Sequence, residues 1–208
     1  AEMIASGVAE SMQEIRLLPD EVKAATEVAH QKGKRVTAHA SNPAIKMTIR
    51  CGVDCIEHGY FLDDEAAQMM VDNDVFLVPT LVCNLDEEFL LESGLADLGP
   101  SEAGSALQGR LLVAKAEGVT PEYVKIHRAG FQKALKAGVK IACGGDDSPI
   151  SDFTLWEIEH LVGAGMTEME ALIAATRTSA DLCGVAAELG SVEVGKVADL
   201  IVGTADPL

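Results

Sequence analysis

Two histidines and an aspartate, each placed where a short apolar run gives way to a loop, are the residues of this chain best suited to chemistry. His39 closes the run from Arg35, His58 closes the run from Val53, and Asp146 follows the run from Val139 to Cys143. Neutral imidazole is the commonest protein donor to zinc-like ions. A carboxylate beside such an ion can hold it, accept a proton from its water, or both. A single histidine at a strand end is more often structural, and a single aspartate there is more often a cap. Two imidazoles on consecutive strands followed by a carboxylate shift the balance toward a centre that activates water. Asp147 is the rival carboxylate. Asp146 has the better register, directly after Gly144 and Gly145, which let the backbone bend sharply at the strand end.

The elements that must position these residues alternate. Asp20 is expected to cap a helix running through Gln31, with the strand Arg35 to Ala38 after Gly33. Asn42 caps the next helix with Pro43 at its first position, and the strand Val53 to Ile56 follows Gly52. Asp63 and Asp64 start a third helix ending near Asn73. Val75 to Val82 is apolar throughout and reads as a strand covered on both faces. A helix from Pro121 to Gly138 leads to the strand Val139–Cys143. Residues 3–5 are a further strand candidate. This alternation implies right-handed βαβ units and a parallel sheet, whose carboxyl ends open on one mouth.

The segment from Cys83 to about Val119 breaks the rhythm and reads as a lid or a surface insertion. After Asp146 come a helix from Phe153 to Gly163, a helix capped by Thr167 with Glu170 in a capping box, and a helix from Ala174 stopped at Gly184. The segment from Gly190 to Gly203 reads as a tight turn and a strand. His30, His127 and His160 fall within helical patterns and are assigned to the outer ring or the surface. Met69 and Met70 are assigned to the core.

Composition narrows the function classes. The 208 residues carry a formal net charge of -17, which repels phosphate backbones and excludes nucleic acid as a partner. No apolar run reaches the roughly 20 residues of a membrane span. The five cysteines lack paired spacing, so free thiols in a reducing cytoplasm are expected. No Gly-x-Ser-x-Gly elbow surrounds Ser148, and no phosphate-cradling Gly-x-x-x-x-Gly-Lys is present.

Thr37–Ala40, Ile56–Gly59, Val78–Leu81, Gly144–Asp146 and the closing Gly195–Val202 together resemble the metal-dependent amidohydrolases. Within them the resemblance is to the imidazolonepropionase-like and Xaa-Pro or Xaa-Arg dipeptidase branch. It implies an α/β fold, an incomplete (β/α)8 TIM barrel of about strands four to eight in residues 1–184. Residues 185–208 would begin a small β-sandwich. It implies one or two divalent metal ions, commonly zinc, with His39 ending strand five, His58 strand six and Asp146 strand eight. Asp146 would also be the catalytic acid and base. Glu2 stands where this branch has a carboxylated lysine, and is the remaining metal-ligand candidate. Ser41, Tyr60 and Thr80 are candidates to line the substrate pocket. The implied activity is hydrolysis of amide, peptide or cyclic amide C–N bonds in a small molecule or dipeptide. A catalytically silent binding or assembly protein is the alternative, as is a deaminase of the same superfamily. The family's His-x-His is absent from this chain, which is therefore expected to be the carboxyl-terminal part of such a protein. Its open barrel side would favour homo-oligomers.

Overall fold

The computed structural model describes residues 2–4, 17–84, 121–146 and 152–204. Five parallel strands form one sheet in chain order: β1 (Glu2–Ile4), β2 (Thr37–Ser41), β3 (Cys55–Tyr60), β4 (Phe76–Val78) and β5 (Lys140–Ile141). Among the described residues the helices are α1 (Pro19–Gln31), α2 (Ala44–Arg50), α3 (Asp64–Asp72), α4 (Pro121–Ala137), α5 (Asp152–Gly163), α6 (Glu168–Ile173) and α7 (Ser179–Leu182). A 3-10 turn spans Leu81–Asn84, and a π-helical turn at Ala174–Thr178 joins α6 to α7. Sequential parallel strands in this order are what helical crossovers produce.

Each helix forms because its apolar residues recur at helical spacing on one stripe. In α1 the stripe is Val22, Thr26 and Ala29, and in α3 it is Ala66, Ala67 and Met70. In α4 it is Val124, His127, Phe131 and Ala134. These stripes meet Ala38, Ala40, Ile56, Leu77 and Ile141 on one face of the sheet. Cys55, Phe76, Val78 and Ala142 make a second, smaller cluster apart from it. A fully buried Phe131 or Ile56 contributes about 1.5–3 kcal/mol. Strands buried on both faces explain why the Phe76 region reads as continuously apolar.

Local signals were mostly right in kind and wrong in detail. Asp63 caps α3, its Oδ1 accepting the Ala66 N–H at 2.8 Å. Thr167 and Glu170 form the expected capping box of α6. At α1 the cap position is Leu18, with Pro19 opening the helix. Asp20 lies in the first turn, and Glu21 accepts the Leu18 N–H at 2.8 Å. Asn42 does not cap α2. Its side-chain amide donates instead to Asp63 Oδ2 at 2.8 Å, and Pro43 precedes the helix, which begins at Ala44. The strand expected from Val75 to Val82 ends at Val78, because Pro79 has no N–H for the ladder and Thr80 turns into the left-handed region at φ 49. Strands β2 and β3 end at Ser41 and Tyr60 rather than at Ala38 and Ile56, which brings His39 and His58 inside them rather than just past them.

No strand forms in residues 190–204, where Val192, Val194, Ile201 and Val202 are exposed. The alternation there supplies strand propensity, but nothing among the described residues pairs with it. Residues 85–120 of the expected lid, and Asp147 and Ser148, lie outside the described residues. No described helix is long and apolar enough to cross a membrane.

Candidate active site

The carboxyl ends of β2, β3, β4 and β5 converge, and His39, His58, Thr80, Cys83 and Asp146 meet there. Along β3, Cys55 packs in one hydrophobic cluster and Ile56 in the other. Strict alternation would therefore send His58 to the helix side with Ile56. It does not go there. The β2–β3 register slips between Ala40, opposite His58, and Ser41, opposite Tyr60, so that Gly59 is an extra residue. His58 and Gly59 both take left-handed backbone, at φ 65 and 71. This bulge re-aims the imidazole toward His39, whose ring lies 4.3 Å away, edge to face.

His58 Nε2 lies 3.8 Å from Asp146 Oδ2, and His58 Nδ1 bonds the Thr80 hydroxyl at 2.5 Å. The hydroxyl fixes the ring's rotation and leaves Nε2 facing the carboxylate. Asp146 is half-exposed, with left-handed backbone at φ 53, whereas His58 is buried. The sharp bend thus falls on Asp146 itself. Gly144 serves another purpose: a β-carbon there would stand 2.7 Å from Val78 Cγ1, so only glycine lets β5 come this close to β4. At the end of β5, the Cys143 N–H donates to Ser179 Oγ at 3.1 Å, and that hydroxyl donates to the Ala174 carbonyl in the π turn.

Cys83 was not foreseen. Its buried thiol lies 3.5 Å from the Gly145 carbonyl and 3.7 Å from Asp146 Oδ2. His58, Cys83 and Asp146 offer ligand atoms all within 4.8 Å of one another. A tetrahedral ion with bonds of about 2.3 Å to sulfur and about 2.1 Å to oxygen separates those donors by about 3.6 Å. The observed donor set and spacing fit a divalent cation. His39 stands beside this group rather than within it. The signal for Cys83 was its place after the fourth apolar run, the criterion that singled out the histidines.

Glu2 heads β1 opposite Thr37, and Ile4 lies opposite His39. Glu2 is thus two residues, about 7 Å along a strand, toward the amino end from His39. Ser41 is buried at the end of β2. Tyr60 is buried too, its ring stacked on His58 at 5.3 Å and in contact with Tyr123 and His127. Thr80 is buried against His58, so its hydroxyl is occupied with orienting the ring.

The helical histidines need correction. His30 is at the surface as expected, bonded to Asp54 at the opposite, amino-terminal end of the strands. His127 and His160 are buried. Both lie on buried helix faces, His127 between Val124 and Phe131, and His160 beside Leu161, so periodicity held the signal. His127 Nε2 donates to the His58 carbonyl at 2.9 Å. Burial pushes its pKa down to about 4, so the ring is neutral near pH 7.

Glu157 is the other buried group behind the site. Its two oxygens accept the Leu81 and Val82 N–H groups at 2.9 and 2.7 Å, tying α5 to the turn that carries Thr80 and Cys83. Burial pushes its carboxyl up to about 8, against the pull of those two donors and of Arg128. Arg128 also reaches His160 Nδ1 at 3.2 Å, and burial drives the His160 pKa down to about 3. The Cys143 thiol is pushed up to about 12 by burial and stays protonated. All five cysteines are free; Cys55 and Cys83 are buried, while Cys183 is exposed.

The Amidohydrolase family model matches residues 15–207, nearly the whole chain. The chain belongs to the amidohydrolase family. An uncharacterized protein of Mycobacterium tuberculosis is 37% identical over 163 residues, covering 75% of this chain and 39% of the relative. The ochratoxinase of Aspergillus niger is 31% identical over 193 residues, 91% of this chain and 36% of the enzyme. Among solved structures, a Xaa-Pro dipeptidase with methionine bound in its active site superposes with a TM-score of 0.73 at 33% identity, covering 95% of this chain and 46% of that one. A prolidase complexed with N-methylphosphonate-L-proline superposes with a TM-score of 0.74 at 29% identity, covering 99% of this chain and 48% of that one. This chain thus spans 36–39% of the length of the curated relatives it matches.

Proposed function

We propose that this amidohydrolase chain carries part of the active site of a metal-dependent hydrolase that cleaves amide or peptide C–N bonds. The observation that carries the reading is the approach of His58 Nε2 to within 3.8 Å of Asp146 Oδ2, with Cys83 and His39 beside them at the strand ends. In this reading His58, Asp146 and Cys83 hold a divalent ion, zinc by the nature of the donors, with His39 and Glu2 as further ligands. The five strands would be strands four to eight of a (β/α)8 barrel. Such an ion, when bound, polarises the scissile carbonyl and lowers the pKa of water toward neutrality.

The residues of the chain do the rest. Asp146, half-exposed at the mouth, accepts the proton of the attacking water and returns it to the leaving nitrogen as the C–N bond breaks. Thr80 keeps His58 Nε2 aimed at the mouth rather than at the helices. The similarity to a Xaa-Pro dipeptidase and to a prolidase favours a dipeptide as substrate.

The test is His58→Ala in the complete protein, assayed for metal content by elemental analysis and for turnover of Xaa-Pro and N-acyl amino acid substrates. Metal loss with a fall in kcat/KM of roughly 10²-fold or more is expected. Unchanged metal content and turnover would overturn the assignment.

A further inference from the structure

The bulge that aims His58 is held from outside the sheet. At φ 65 His58 is strained for a residue other than glycine, and such conformations persist only where the surroundings over-determine them. The His58 carbonyl lies next to the buried face of α4. His127, on that face and 2% exposed, donates Nε2–H to this carbonyl at 2.9 Å. Thr80 in turn bonds His58 Nδ1. His127 therefore bonds the backbone of His58, while Thr80 holds its ring. Tyr60 packs between the two histidines, 5.3 Å from the His58 ring and 4.5 Å from that of His127. Without this donor the strained peptide would have less to hold it and would be free to relax toward regular strand geometry. Relaxation would return the His58 side chain toward the helix layer.

We propose that His127 is a positioning residue for His58: it stabilises the left-handed bulge that turns the His58 imidazole into the mouth. The inference rests on the reading of His58 as a metal ligand. It gives His127 no contact with metal or substrate.

The test compares Co²⁺ affinity, read from visible absorption during titration of the apo protein, across the wild type, three His127 variants (Phe, Gln and Leu), Phe131→Leu and His58→Ala. His127→Phe keeps an aromatic ring and removes the donor. Loss of an outer hydrogen bond to a metal ligand typically weakens metal binding 10–100-fold, and that is the expected rise in Kd. His127→Gln keeps an N–H near the same place and should stay within about threefold of wild type. Phe131→Leu, one turn along α4 in the core, is the control; it should lower thermal stability and leave Co²⁺ affinity unchanged. Unaltered affinity in His127→Phe would overturn the proposal, as would an equal loss in Phe131→Leu. If His127→Phe fails to fold, failure of His127→Gln to bind better than His127→Leu overturns it instead. Absence of Co²⁺ binding by the wild type, or binding unaffected by His58→Ala, would sink the metal reading itself, a result separable from the others.

Discussion

Gly144→Ala is a test of whether the close approach of β4 and β5 builds the site. The added β-carbon would stand 2.7 Å from Val78 Cγ1, and ordinary contact begins at 3.4 Å, so the two strand ends must separate by about 0.7 Å. Overpacking of this kind costs about 1–3 kcal/mol. The displaced end leads through Gly145 to Asp146, whose carboxylate must be placed to within about 0.5 Å to serve a metal. Co²⁺ affinity should fall along with stability. Val78→Ala removes the opposing atom. Alone it should cost about 2 kcal/mol, from two buried methyl groups and the space they leave. Joined with Gly144→Ala, the new methyl occupies part of that space, so the double variant should be more stable than the sum of the single costs by at least 1 kcal/mol. Urea unfolding of the four proteins at one pH measures this coupling. Costs that add within about 0.5 kcal/mol, the tolerance for independent sites, would refute the packing argument.

Glu157 predicts a pH signature. Its folded pKa of about 8 lies above the ordinary 4.5, so the folded protein holds this proton more tightly than the unfolded chain does. The stability it contributes is full below about pH 4.5 and is lost as pH rises through about 8. The folded protein therefore loses stability as pH rises across that window. Urea midpoints of wild type against Glu157→Gln, followed from pH 5 to 9, should therefore converge or cross as pH rises; parallel curves would contradict the buried titration. Thr80→Val keeps the branched shape and removes the hydroxyl from His58 Nδ1. It should raise the Kd for Co²⁺ about 10–100-fold, and an unchanged Kd would mean that Thr80 does not orient the ring.

Local chemistry made much of this molecule legible. Asp63 before α3 and the Thr167–Glu170 box before α6 were readable because a cap involves only four consecutive residues. The parallel sheet followed from helices and apolar runs in alternation, and His39, His58 and Asp146 from their place at the ends of those runs. Pro79 misled only through the uniform hydrophobicity around it, although its missing N–H already argued against a strand continuing to Val82. Asn42 misled because a short polar residue before proline suits a cap, while a carboxylate 21 positions later offered it a better partner.

What the sequence determined by itself is set by short-range physics: periodicity, capping and strand ends depend on neighbours within a few positions. What the tertiary structure decided is which side chains meet. Periodicity alone would have turned His58 away from His39, and one extra residue in the β2–β3 ladder reverses that. Cys83 and Asp146 are 63 positions apart, and His58 and His127 are 69 apart. Residues that distant come together only when parallel strands and their crossovers bring separate carboxyl ends to one place. The sequence placed His39, His58 and Asp146 at strand ends, and packing of the whole sheet, down to the missing β-carbon of Gly144, chose their arrangement.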